Sequence, residues 1–223
     1  MVFDHVGYVF FPDVALFRLL GRLSMPMFAY SQARSFRHYS KNPGTLPPVG
    51  NNVSFWRRYK PLLLHIGRLS AFAAISQFPF YFLSPGKLNI GFTWILAFLA
   101  FAAFFLVENN VIKLFAISSV VLCGLFLPVD YGLYGVLYPS VLFACFFRFD
   151  NVYIALAGSV LLYLLSIFQY GEYFNIQIFA IFVVPIIDVL KKHDKTVCLN
   201  KWFYYVFYPA HIAVILLISR VFI

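Results

Sequence analysis

Acidic residues are scarce. Only eight Asp and Glu occur in 223 residues, and all charged residues together make up 11% of the chain. A soluble domain typically carries about a quarter charged residues, so a water-facing surface of ordinary polarity is excluded. Cysteine is almost missing as well. Cys123, Cys145 and Cys198 show no paired spacing, which excludes a disulfide framework and a metal motif. Cys123 and Cys145 fall in apolar segments and read as small packing residues. The chain has no glycine-rich phosphate loop, no internal repeat and no low-complexity tract. Met1–Phe11 is not expected to act as a cleavable leader, because it lacks a basic start and contains Asp4 and His5.

Apolar and aromatic residues fill the space that charge leaves. The sequence is 62% hydrophobic with a mean hydropathy of +0.84, and it holds 29 Phe and 15 Tyr. These values predict an integral membrane protein, all-α, folded as one domain over residues 1–223. The net charge of +9 would suggest nucleic acid in a soluble protein. Here the basic residues fall between apolar segments, so orientation in a bilayer is the better explanation, and no nucleic-acid partner is expected.

A spanning helix needs about 20 residues to cross roughly 30 Å of hydrocarbon. Pro12 ends the first apolar segment after only 11 residues. That segment is too short to span, and its true start is expected upstream of Met1. The further segments are read at 14–33, 61–83, 88–107, 111–128, 131–147, 152–169, 173–190 and 202–223, with a turn at 84–87. The expected architecture is a polytopic bundle of about eight to nine transmembrane helices, the first cut short. Two basic stretches, 34–60 and 191–201, lie an even number of crossings apart. The excess of Lys and Arg on cytoplasmic loops then puts both in the cytoplasm of a bacterium's inner membrane, with 12 of the 17 Lys and Arg on that side.

The polar residues inside the segments gather, on this topology, in the outer half of the bilayer. They are Asp4, His5, Arg18, Arg22, Gln77, Asn89, Thr93, Asp130, Tyr131, Tyr134, Gln177, Tyr204, Tyr208 and His211. Ionisable groups at membrane depth cost roughly 2.5–3.5 kcal/mol each on insertion scales and call for partners or a role. Arg18 and Arg22 are four residues apart and share a helical face, as do Tyr204, Tyr208 and His211. Plain structural readings stand beside the functional ones. The tyrosines suit an interface belt, Gln77, Asn89 and Thr93 suit interhelical hydrogen bonds, and Asp4 or Asp130 could simply neutralise the arginines.

Several stretches resemble the TraX family of membrane proteins, associated with N-terminal acetylation of conjugative pilin and with fimbrial loci. They are MVFDHVG at 1–7, FPD at 11–13, FRLLGRLSMPMFAY at 17–30, ISQFPF at 75–80, LNIGFT at 88–93, DYGLYGVL at 130–137 and FYYVFYPAH at 203–211. The blocks run in family order along nearly the whole chain. The chain departs from the family pattern at Arg34, Ser35 and Gln77, where the family carries an acid, a glycine and an acid, and the loop 41–54 is an expansion.

The resemblance implies an acetyl-CoA-dependent N-acetyltransferase acting on a pilin or fimbrial subunit. O-acetylation of an envelope sugar, a non-catalytic part in pilus assembly and transport are the alternatives. In the acetyltransferase reading His5 takes the proton from the attacking amine, oriented by Asp130 or, less favourably placed, by Asp4. His211 and Tyr208 are the alternative groups for proton transfer. Arg22 stabilises the oxyanion or, with Arg18 and Tyr208, grips the donor. Asn89, Thr93, Tyr131 and Tyr134 line the acceptor side, and no metal is expected.

Overall fold

Leu133, Tyr134, Val136, Tyr138, Leu142 and Phe143 belong to one helix that is apolar on every side, and such a helix is buried on every side. The computed structural model describes residues 1–41, 55–170, 176–192 and 201–222. Among them the chain is helical, with no β-strand: α1 (Val2–Phe10), α2 (Ala15–Arg22), α3 (Ser24–Lys41), α4 (Phe55–Leu83), α5 (Ile90–Leu106), α6 (Asn110–Phe126), α7 (Gly132–Phe143), α8 (Val152–Tyr170), α9 (Val183–Lys192) and α10 (Lys201–Phe222). A π-helical turn, Ala144–Arg148, extends α7, and a 3₁₀ stretch, Ile176–Phe182, precedes α9. Helix α7 is the central one, packed against α3, α5, α6 and α8. Around it Phe36, Phe98, Phe101, Tyr134, Tyr138, Phe143 and Phe146 form the aromatic centre of the core.

Most expected segments are found with shifts of a few residues at their ends. Two are corrected. The stretch 14–33 is not one helix: it divides at Leu23 into α2 and α3. Pro26 has no N–H to offer the Arg22 carbonyl, so the ladder cannot run through. The Ser24 hydroxyl instead donates to the Gly21 carbonyl at 2.6 Å and closes the end of α2. The stretch 173–190 divides as well, because Pro185 cannot donate to the carbonyl of Ile181 and the α-helix begins only at Val183. Arg34 and Arg37, read as loop residues, lie on α3, and Lys60 lies on α4, which starts six residues earlier than expected. The proline- and glycine-rich stretch 42–52, the turn expected after Tyr170, the middle of the second basic loop and the Tyr204 side chain lie outside the described residues.

Helices α1 and α2 form a tight hairpin around Pro12 and Asp13. Glycine permits the closeness: a Cβ on Gly21 would lie 2.2 Å from Asp4 Cβ, and one on Gly7 2.5 Å from Phe17 Cβ. The hairpin docks through α1 on α10 and through α2 on the 3₁₀ stretch. The linkers before α5 and α7 pair in a single parallel bridge, Leu88 with Val129. The Asp130 amide donates to the Leu88 carbonyl at 2.9 Å, so the two helix starts are tied together. Among the described residues no helix is long and apolar enough to cross a membrane; α5 and α6 have 17 residues each.

Candidate acid–base site

Helix α1 presents Asp4 and His5, and α10 presents Tyr208 and His211 on one face, three residues apart. Contact between α1 and α10 brings the two histidines together. His5 Nδ1 lies 3.0 Å from His211 Nε2, with the rings nearly parallel at 6°. His211 Nδ1 lies 2.8 Å from the Phe207 carbonyl oxygen, one helical turn back. That carbonyl can only accept, so Nδ1 of His211 carries the hydrogen and its Nε2 is the acceptor. His5 Nδ1 must then donate. The hydrogen bonds therefore run in one direction, from His5 through His211 to Phe207. They leave His5 Nε2 as a bare lone pair, with no hydrogen-bond partner among the described residues. His5 and His211 are 8% and 9% exposed, so the relay sits at the edge of the core rather than in bulk solvent.

Charged residues surround this pair. Arg18 Nε lies 3.3 Å from Asp4 Oδ1, and its guanidinium stands 5.6 Å from the Tyr8 ring centre. Arg22 stands over the Tyr131 ring at 5.1 Å, within electrostatic reach of Asp4 and Asp130. Tyr131 heads α7 with φ of 62°. A bulky residue in the left-handed region is an outlier that the surroundings must enforce. Its neighbours do so: Thr93 donates to the Asp130 carbonyl at 2.6 Å, and the Leu88–Val129 bridge holds the preceding residues.

The structure thus brings together Asp4, His5, Arg18, Arg22, Asp130, Tyr131, Tyr208 and His211, which are spread over more than two hundred positions of sequence. It assigns different partners from those expected. The ring partner of His5 is His211, not a carboxylate, and Asp4 faces Arg18. Asn89 does not face this cluster with free polar atoms. Its side chain caps α5 through the Gly91 amide at 2.8 Å and donates to the Ala73 carbonyl at 2.7 Å and to Gln77 Oε1 at 3.0 Å. Thr93 is committed to holding Asp130. Tyr134 is fully buried one turn into α7, in edge contact with Tyr138, whose hydroxyl donates to Ser159 at 3.2 Å.

Two contributors went unread in the sequence. The Phe207 carbonyl is a backbone group without a residue signature, although a histidine four residues on in a helix is placed to meet it. The close approach at Gly21, which seats Asp4 on α2, has no signature beyond the glycine itself.

The opposite end of α7 is basic. Arg37 stands over the Phe147 ring at 5.2 Å. Lys191 donates to the Phe146 carbonyl at 3.2 Å and pairs with Asp150, while Lys192 pairs with Asp188 at 2.7 Å. Asp150, Asn151, Tyr153, Asp188, Lys191 and Lys192 line an open pocket of about 450 Å³. The helical rise from Tyr131 to Arg148 puts this end roughly 25 Å from Tyr131.

Neither a curated protein nor a solved structure matches this chain. The sequence profile of one family, described as TraX protein, matches residues 1–219. That match takes in every residue of the site and nearly the whole chain, and on it the protein belongs to the TraX family.

Proposed function

We propose that this chain is a membrane-embedded acetyltransferase that moves an acetyl group from acetyl-CoA to an amine, the N-terminus of a pilin or fimbrial subunit. The observation that carries the reading is the one-directional relay from His5 through His211 to the Phe207 carbonyl, which starts at the bare Nε2 of His5, a residue within electrostatic reach of Arg18 and Arg22. A general base needs a lone pair at a fixed position and a partner that sets its tautomer. Acyl transfer also needs fixed positive charge where the carbonyl oxygen becomes negative, and Arg22 supplies it. Membership of the TraX family supports a pilus-related acceptor.

Embedding in the bacterial inner membrane is supported by the surface. Large apolar side chains are exposed around α4, α6, α8 and α10, among them Phe126 at 81% and Phe168 at 88%. Exposure of so many large apolar side chains fits a surface that meets lipid or a partner. The donor is polyanionic, and Arg37 and Arg148 at the basic end of α7 supply charge for its phosphates, Lys191 and Lys192 being already paired with Asp150 and Asp188. The separation of that end from the histidine cluster fits a donor taken from the cytoplasm and an acceptor on the outer side. The test is the intact mass of pilin from cells carrying the wild-type chain, His5→Ala or His211→Ala. The acetyl mass is expected with the wild type and is expected to be lost with His5→Ala; full acetylation in both variants overturns the histidine mechanism.

A further inference from the structure

Tyr208 is the group in the cluster whose chemistry the relay does not use. It is 5% exposed; the Ile90 backbone amide lies against its oxygen, and its O–H has no acceptor among the described residues. A buried donor without an acceptor costs about 1–3 kcal/mol, and a site tolerates this where the acceptor arrives with the substrate. The ring is held firmly. Its edge meets His5 at 6.2 Å and His211 at 5.5 Å between centres, and Phe72 packs on it at 5.5 Å. The hydroxyl lies against the backbone of Ile90, the first residue of α5, and within electrostatic reach of Asp130 and Tyr131. The ring thus touches the histidine pair, and its hydroxyl lies where α5 begins, next to the linker that Asp130 ties to Leu88. Arg22 Nε is buried and likewise without an acceptor, while its guanidinium also bonds to the Tyr131 side chain. The cluster thus holds two buried donors without acceptors together with the bare nitrogen of His5.

We infer that Tyr208 is a catalytic residue of the proposed acyl transfer: its O–H, with Arg22, binds the carbonyl oxygen of the thioester donor and holds it as it becomes an oxyanion. This rests on the acetyltransferase reading. The acceptor amine forms a C–N bond to the thioester carbonyl carbon, and the C=O electron pair moves onto the oxygen, where Tyr208 and Arg22 donate to it. His5 Nε2 takes the amine proton. The oxyanion then re-forms C=O, the C–S bond breaks, and the departing thiolate takes the proton from His5, so that an amide and a thiol result and both histidines are neutral again.

The experiment measures acetyl transfer from radiolabelled acetyl-CoA to pilin in membranes containing the full chain. It compares the wild type, Tyr208→Phe, and the chain with 3-fluorotyrosine at position 208. Phenylalanine keeps the ring contacts and removes the donor. Turnover is expected to fall about a hundred- to a thousandfold with KM for acetyl-CoA almost unchanged, the size of losing one oxyanion donor. The fluorinated residue keeps both shape and donor and is expected to stay within about tenfold of the wild type. Wild-type turnover with Tyr208→Phe overturns the assignment and leaves the acetyltransferase reading standing. So does a loss that appears in KM alone, or an equal loss with the fluorinated residue. No transfer by the wild type overturns the reading and the assignment together.

Discussion

His211 does its work through its neighbour. Its Nδ1 hydrogen is fixed by the Phe207 carbonyl and its Nε2 by His5, so removing it frees the His5 ring to turn and to change tautomer. In the proposed mechanism, removing His5 deletes the base itself. The two substitutions are therefore expected to differ: His5→Gln lowers kcat by about 10²–10⁴-fold, the usual span for a general base, and His211→Gln lowers it by less. Steady-state rates on purified protein check this, and a larger loss at position 211 reverses the order of the relay. Much of this cluster was legible in the sequence. Four ionisable residues in two short apolar segments demanded partners, and His211 shared a helical face with Tyr208. What could not be read was who faces whom. The pairing of His5 with His211 spans 206 positions and depends on how α1 lies on α10. The roles of Asn89 and Thr93 as a cap and a tether depend on backbone groups that a residue pattern does not show.

At the scale of elements, the α1–α2 hairpin is the device that seats the site. Gly21→Ala would put a Cβ 2.2 Å from that of Asp4, where backbone as well as side chain must yield. Overpacking of this kind costs about 1–3 kcal/mol, and here it pushes α1, with His5, away from α2. Lower thermal stability in detergent together with lower activity is expected; an unchanged melting temperature would mean that the two helices are not in this register. The far end of α7 offers a separate test. Lys191 holds the exposed Asp150 carboxyl below its ordinary range. A carboxyl lowered in the folded state contributes stability above its unfolded pKa, and that contribution fades as pH falls through the lowered value. Asp150→Asn is therefore expected to lower thermal stability at neutral pH and to narrow the gap to wild type in acid, as pH-resolved melting curves would show. Prolines decide where the sequence reading failed at this scale. Apolar runs do mark the segments, but Pro26 and Pro185 break two of them in places where hydropathy alone continues.

For the whole molecule, the arrangement is one of opposite ends. Acid–base groups and arginines gather at the start of α7, and Arg37, Arg148, Lys191 and Lys192 gather at its end. The apolar side chains exposed between the two ends account for a composition with so little charge. Retention in the membrane pellet after an alkaline carbonate wash is the expected outcome for the full chain, and release into the supernatant contradicts embedding. The separation of polar from basic residues is expected from the order of the apolar segments and the loop charges; low charge and high aromatic content give the expectation of embedding that the wash tests. The number of crossings is a different matter, since the count assumed one helix per apolar run. The account as a whole stands on acetyl transfer that depends on the histidine relay. The most direct measurement is the intact mass of pilin from cells with the wild-type chain and with His5→Ala. An acetyl group present in the first and absent in the second is the predicted result. Pilin of identical mass in the two contradicts it.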